Sequence, residues 1–352
     1  MNYIKPSLEF KKTFFKLAEE AGSVVITGHK SPDGDAVASV LAVYHLLSEK
    51  YPKKNIQMVL AGNRMRRFNS FLNYDKIKFV SDIVDEFEKI DLLIGCDGGG
   101  LDRFSNEPDR LLNIVKKIIC IDHHNLQNEK FDLSLVNSSM PSAVELIYLS
   151  FHQNEKISKK LAEVYLMGIL EDTGNFTYLR PEQTETFLTV KNLVDIAQIE
   201  IQEFLTRFRI IFSTKVFDLI REFIKNTKYH KVDNWPNFQT SHVTRELVKS
   251  NDYTEDEVSE ASHAYVDQYL GRVGNYPWGF VISPERNGDC KISLRSLPRS
   301  VDVCDLVNRM DVGGGHVRAA GGTLKMKDKP RETEECVNKV LDWVKRNVPV
   351  LK

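Results

Sequence analysis

The sequence predicts a doubly wound, mainly parallel α/β sheet domain followed by a smaller α+β domain, with a helical linker between them. Two observations carry this. Short β-branched apolar runs alternate with helical spacing through the first half, and that alternation stops near residue 185. The length of 352 residues agrees, corresponding to about two domains at roughly 150 residues each. The expected boundaries are 1–185 for the first domain, 186–230 for the linker and 231–352 for the second domain.

Residues 9–21 place Phe10, Phe14, Leu17 and Ala18 on one helical face. Residues 23–28 (SVVITG) form a short β-branched run, and residues 36–50 return to helical spacing. Residues 56–60 (IQMVL), 91–96 (DLLIGC) and 117–121 (KIICI) are too short for core helices and read as buried parallel strands. Residues 141–152 and 157–170 read as two further helices. From 186 to 228 the spacing is helical. Between Arg207 and Lys231, seven basic residues face two acids, either a solvated helix face or a local basic wall. Residues 233–242 read as a loop or hairpin, and 254–270 as an acidic helix. Residues 277–283 and 289–296 read as two strands around a turn at 285–288, and 331–347 as an amphipathic helix. The GGGHVRAAGG segment near residue 313 reads as a glycine-rich turn.

Composition narrows the class. Apolar residues make up 42% and charged residues 28%, which excludes a mostly disordered chain. A formal net charge of −1 excludes a polycation that coats duplex nucleic acid by charge alone. The start MNYIKPSLEFKK has no apolar stretch behind a basic segment, and no apolar run reaches about 18 residues, so neither a targeting segment nor a membrane span is expected. Cys96, Cys120, Cys290, Cys304 and Cys336 contain no CxxC pair and are expected as reduced thiols of a cytoplasmic protein.

Five places could carry chemistry. GHKSPDGDAVAS (28–39) supplies His29, Asp33 and Asp35 between a strand and a helix. GCDGGG supplies Asp97 after the next strand, and IDHHN supplies Asp122, His123 and His124 after another. EDTGNF puts Asp172 at a helix end, and GGGHVRAAGG supplies His316. Taken singly, most have ordinary explanations: a turn, a helix N-cap, or a loop that needs positive φ. Together they differ, because ligands of open α/β sheets bind beyond the carboxyl ends of the strands, where the first three clusters fall. Four carboxylates in one crevice repel one another and resist desolvation. Divalent cations resolve that conflict. Four carboxylates and two imidazoles exceed one tetrahedral zinc site and suit two metals sharing a carboxylate. Mixed His and carboxylate ligation makes Mn²⁺ the first choice, with Mg²⁺, Co²⁺, Zn²⁺ and Fe²⁺ as alternatives. Two such ions about 3.5–4 Å apart suit in-line phosphoryl displacement by a metal-activated water.

These motifs, in this order, resemble the DHH phosphoesterase family, named for its Asp-His-His motif. SLRS (293–296) followed by GGGHVRAAGG resembles the DHH-associated C-terminal domain, and the size and layout resemble the stand-alone, NrnA-like oligoribonuclease and pAp phosphatase branch. The resemblance implies that His29 and Asp33 hold one metal, Asp35 and His123 the other, that Asp97 bridges them and that Asp172 completes the set. It implies a substrate-facing His124, which would bind the scissile phosphate or protonate the leaving oxygen, and an Asp122 that orients a neighbouring imidazole. In the second domain, Gly313, Gly314, Gly315, His316, Arg295 and Arg318 would bind the rest of the substrate. The expected substrate is short RNA or a small nucleotide, with c-di-AMP or pApA as the alternative. A non-catalytic nucleotide sensor would need lost ligands, and none is lost. Long duplex nucleic acid and membranes are not expected partners, and a homodimer is left open. Ala38 and Val312 stand where the family often has Gly.

Overall fold

The computed structural model describes residues 8–124, 131–153, 155–208, 212–325 and 332–352. The chain divides into two compact units, Met1–Ile210 and Ile211–Lys352. Among the described residues no helix is long and apolar enough to cross a membrane.

The first unit runs α1 (Leu8–Glu20), β1 (Ser23–Gly28), α2 (Gly34–Lys50), β2 (Asn55–Ala61), β3 (Lys78–Val80), β4 (Leu92–Cys96), α3 (Leu101–Phe104), α4 (Pro108–Ile114), β5 (Ile118–Asp122), β6 (Leu133–Val136), α5 (Ala143–Ile147), α6 (Lys159–Asp172), α7 (Thr186–Ala197) and α8 (Ile201–Phe208). Its sheet is wholly parallel, in the order β3-β2-β1-β4-β5-β6. The order reverses between β1 and β4, so the crevice at their carboxyl ends is the topological switch point where ligands of such sheets bind. β1, β4 and β5 are buried along almost their whole length, as parallel strands covered on both faces must be. One core joins α1, α2, α5, α6 and α7 to one face; Val25, Leu93, Phe104 and Ile118 belong to a second core. The short edge strands β3 and β6 carry no long apolar run, and sequence reading missed both.

Packing of α2 on α6 is close. A Cβ at Gly168 would stand 2.7 Å from the Ala38 Cβ and 2.7 Å from Val144 Cγ1. The methyl of Ala38, one of the two departures from the family pattern, is therefore accommodated by the missing side chain at Gly168.

The second unit contains α9 (Thr214–Lys225), β7 (Lys228–His230), β8 (Phe238–His242), α10 (Arg245–Ser250), α11 (Glu255–Gln268), β9 (Trp278–Pro284), β10 (Cys290–Ser296), α12 (Val303–Arg309), β11 (Gly313–His316), β12 (Ala319–Leu324) and α13 (Thr333–Arg346). Its mixed sheet has the order β11-β12-β10-β9-β8-β7, antiparallel except for β8 beside β9. Val312, the other departure, is half-buried against this unit's core.

Residues 186–230, expected as a linker, are shared between the units. Leu193 and Ala197 of α7 join the core of the first, and Val216, Leu219, Ile220 and Phe223 of α9 pack with α11 in the second. The GGGHVRAAGG segment is corrected: it is not a turn but the hairpin β11–β12, with Gly313 opposite Gly322 and His316 opposite Ala319. Gly313, Gly315 and Gly322 are needed because the strands approach too closely for side chains, and Gly315 also adopts a positive φ of 144°. A Cβ at Gly313 would lie 2.0 Å from the Gly321 carbonyl oxygen.

A candidate two-metal centre

Each strand ending at the switch point delivers one part of the site. After β1, Asp33 caps α2: its Oδ1 accepts from the N–H groups of Asp35 (3.0 Å) and Ala36 (3.1 Å). The ordinary explanation of PDGD as a cap therefore holds for one oxygen. The other, Oδ2, lies 3.5 Å from His29 Nε2. Asp35 is fully buried, and its carboxylate accepts from the N–H groups of Ala143 (2.6 Å) and Val144 (2.9 Å) at the start of α5. After β4, Asp97 adopts a positive φ of 53°, a strained conformation for a non-glycine residue that its N–H bond to the Ile121 carbonyl (3.0 Å) helps to hold.

After β5, Asp122 organises two neighbours. Its Oδ2 accepts from the Gly98 and Gly99 N–H groups, fixing the loop that carries Asp97. Its Oδ1 accepts from the His124 N–H (2.8 Å) and from His124 Nδ1 (2.9 Å). The imidazole that Asp122 orients is thus His124. Because Nδ1 donates there, His124 offers no lone pair from that nitrogen to a metal, although it lies 3.5 Å from Asp97 Oδ1.

His29 and His123 are oriented by backbone carbonyls. His29 Nδ1 donates to the Lys30 carbonyl at 2.9 Å, and His123 Nδ1 to the Met140 carbonyl at 3.3 Å. A carbonyl only accepts, so Nδ1 carries the proton and Nε2 faces the crevice in both rings. His123 Nε2 lies 3.4 Å from Asp97 Oδ1 and 3.3 Å from Asp172 Oδ2. His29 Nε2 lies 3.8 Å from Asp97 Oδ2. Sequence reading missed the partners at Lys30, Met140, Ala143 and Val144. They act through main-chain groups, which every residue possesses, so no motif marks them.

Charge in this cluster is badly balanced without cations. Burial, then the charges of Asp97 and Asp172, push the Asp35 carboxyl well above the ordinary range. Burial, with Asp97 and Asp33 adding to it and His123 opposing, lifts Asp172 to about 7. Burial disfavours a charged His29, but Asp33 and Asp97 outweigh it and raise the ring to about 9. His123 rises to about 10 by the same contest, with Asp97 and Asp172 prevailing. Burial likewise works against an ionised Asp122, yet its bonds from His124 and Gly99 hold it down at about 2.

The residues fit divalent ions. His29, Asp33 and Asp97 can turn one ligand atom each into a common space, as can Asp35, His123 and Asp172, while Asp97 also groups with His123 and His124. Asp97, only 2% exposed, is thus common to both sides of the cluster. Its Oδ1 and His123 Nε2 are buried without a hydrogen-bond partner among the described residues. A cation would satisfy both and displace the protons that otherwise relieve the crowding.

The residues expected to bind substrate lie in the second unit. Arg295 on β10 and His316 on β11 are both level with Ala319 of the intervening strand β12, so the pleat puts them on one face of the sheet. Arg295 already pairs with Asp267 at 3.0 Å. Gly313, Gly314 and Gly315 are exposed along β11. Arg318 turns to its own unit: its guanidinium donates to Ser296 Oγ and to the carbonyls of Ser300, Val301 and Lys352, tying down the C-terminal residues.

Comparison with known proteins agrees with this architecture. The DHH family, N-terminal domain, matches residues 23–169, and the DHHA1 domain matches residues 245–346. The chain is 27% identical over 315 residues to the bifunctional oligoribonuclease and PAP phosphatase NrnA of Bacillus subtilis, covering 86% of this chain and 89% of that protein. It is 26% identical over 331 residues to the NrnA of Thermus thermophilus, covering 92% and 91%. An exopolyphosphatase-related protein from Bacteroides fragilis shares the fold, with a TM-score of 0.78 at 22% identity and 97% of each chain covered. Two domain matches in the expected order, on a fold whose switch point gathers the Asp-His-His residues, make this chain a DHH-family phosphoesterase with a DHHA1 domain.

Proposed function

We propose that this protein is a Mn²⁺-dependent phosphoesterase that hydrolyses short oligoribonucleotides to mononucleotides and removes the 3′-phosphate from pAp. The observation that carries the reading is the cluster in which Asp97 is common to a His29–Asp33 side and, through His123, an Asp35–His123–Asp172 side. The relatives named for oligoribonuclease and PAP phosphatase activity match nearly their whole length, which supports the nucleotide assignment.

His29, Asp33, Asp35, Asp97, His123 and Asp172 would hold two divalent ions, which when bound supply Lewis acidity to activate water and offset charge on the phosphoryl oxygens. The protein's own groups do the rest. The Lys30 and Met140 carbonyls keep the Nε2 atoms of His29 and His123 directed inward. Asp122 holds His124 in one tautomer through Nδ1, so Nε2 is the exchangeable position of that ring, suited to the phosphate or the leaving oxygen. Arg295, Gly313, Gly314, Gly315 and His316 serve as phosphate donors for the remainder of the substrate. Arg318 serves indirectly, by bracing Ser296 beside Arg295.

The deciding experiment is a product time-course with Mn²⁺ on pAp, a diribonucleotide, a long oligoribonucleotide and c-di-AMP side by side. Rapid loss of pAp and the dinucleotide, with the long RNA and c-di-AMP spared, is expected. Preferential cleavage of c-di-AMP would overturn the substrate assignment. Near-normal turnover by Asp97→Ala would overturn the metal role.

A further inference from the structure

Beside the metal cluster, the carboxyl ends of β1, β2 and β3 frame a cleft of about 610 Å³. Its wall is continuous with the metal-ligand loop: Lys30 and Ser31 line it, between His29 and Asp33. The wall is fixed by main-chain bonds. Lys30 N–H donates to the Arg103 carbonyl (2.7 Å), Ser31 N–H to Ala61 (2.8 Å) and Gly62 N–H to Val80 (2.9 Å). At Gly62, φ is +149°, and a Cβ there would approach Pro32 Cδ to 2.8 Å. The chain is therefore closed tightly against the 29–33 loop, and the cleft is set in shape.

Its chemistry is opposite to that of the metal cluster. Lys30 and Arg64 line it, and none of its lining residues is acidic. Lys30 Nζ donates to Asn106 Oδ1 at 2.8 Å, and Arg64 Nε to Asn69 Oδ1 at 3.2 Å, with the Arg64 guanidinium 5.0 Å above the Tyr74 ring. Among the described residues neither cation pairs with a carboxylate. An ammonium has three donors and a guanidinium five, so both retain capacity for an anion. The half-buried Phe79 adds flat apolar surface to the same cleft. Two cations, amide and hydroxyl groups and one aromatic ring are the components that recognise a phosphate joined to a planar base.

We propose that this cleft is a nucleotide subsite of the first unit: Lys30 and Arg64 bind the phosphate of a nucleoside 5′-monophosphate unit whose base lies against Phe79. The proposal rests on the phosphoesterase reading of the adjacent cluster and adds a place for the nucleotide neighbouring the scissile bond. Substrates with a second phosphate gain from the subsite, and substrates with a single phosphate do not.

The test uses the full chain with Arg64→Glu and, as the charge-conserving control, Arg64→Lys. Calorimetric titration with 5′-AMP in EDTA reads the subsite without turnover. Wild type is expected to bind AMP more tightly than inorganic phosphate or adenosine alone. Arg64→Glu is expected to weaken AMP by at least about tenfold, and Arg64→Lys by no more than about threefold. Absence of AMP binding, equal affinity for AMP and inorganic phosphate, or unchanged binding by Arg64→Glu would each overturn the proposal. With Mn²⁺, Arg64→Glu should raise KM for a 5′-phosphorylated diribonucleotide at least about tenfold and leave bis-p-nitrophenyl phosphate unaffected; equal effects on both would also overturn it. If wild type cleaves no nucleotide, the functional reading fails, while the AMP titration still decides the subsite.

Discussion

Glu145 should make the first unit less stable as pH rises, and Glu145→Gln should remove that penalty. The side chain is fully buried on α5, next to the turn that binds Asp35. It accepts hydrogen bonds from Thr186 Oγ1 (2.9 Å) and from Thr189, and its Oε1 has no hydrogen-bond partner among the described residues. Burial lifts its carboxyl from 4.5 to about 7, with the threonine bonds opposing. Between those values the folded state holds a proton that the unfolded chain has lost, so stability falls as pH rises through the window and stays low above it. The full penalty is about 3 kcal/mol, of which about 2 kcal/mol develops between roughly pH 5.5 and 8.5. Glu145→Gln keeps an acceptor for the threonines and cannot ionise. Its stability relative to wild type should improve by about 2 kcal/mol across that interval. Tryptophan fluorescence cannot report this, because Trp235, Trp278 and Trp343 all lie in the second unit. Pulsed thiol labelling in urea can, since Cys96 and Cys120 are buried in the first unit. The measurement should be made in EDTA so that metal binding does not contribute. A stability difference that is the same at both pH values would refute the reasoning.

Three further outcomes are expected. His124→Ala should lower kcat by about 10²–10⁴ while bound metal, measured by elemental analysis, stays at the wild-type level; loss of metal in parallel with activity would show that His124 is a ligand. Gly168→Ala should destabilise the first unit by about 1–3 kcal/mol, because the new methyl meets Ala38 and Val144. The same methyl would stand 3.2 Å from Asp35 Oδ1, so Mn²⁺ affinity should fall too, and wild-type values in urea unfolding and metal titration would contradict the close packing. Mn²⁺ at about a hundred times its Kd should stabilise the wild-type protein by roughly 2.7 kcal/mol per site, a gain that Asp97→Asn largely loses; an equal gain in both proteins would place the ion elsewhere.

Much of this molecule was legible because its strongest signals are local. The runs at 23–28, 91–96 and 117–121 are apolar because both faces of a parallel strand are covered, and they appear as β1, β4 and β5 within a residue or two. A polar cluster directly after such a strand lies at the carboxyl edge, so His29, Asp97 and His123 could be assigned to one crevice before any coordinate was known. The edge strands β3 and β6 were not legible, because they carry only partial burial and no long apolar run. The segment around Gly313 misled for a related reason. Glycines needed for positive φ and glycines needed for close strand approach look alike in a sequence, and only the opposing strand tells them apart.

Residue types and their order by themselves determined the fold class, the candidate His and Asp cluster and the family, since each rests on periodicity, on side-chain chemistry or on the order of motifs. Tertiary structure alone decided which atoms do what. The tautomers of His29 and His123 follow from carbonyls of Lys30 and Met140, and the setting of Asp35 from two main-chain N–H groups of α5. It also showed that Arg318 braces the chain's end, and that Lys30 and Arg64, some thirty residues apart, line one cleft. The physical reason is the same throughout: side-chain identity is written in the sequence, whereas main-chain partners and long-range proximity exist only once the chain has folded.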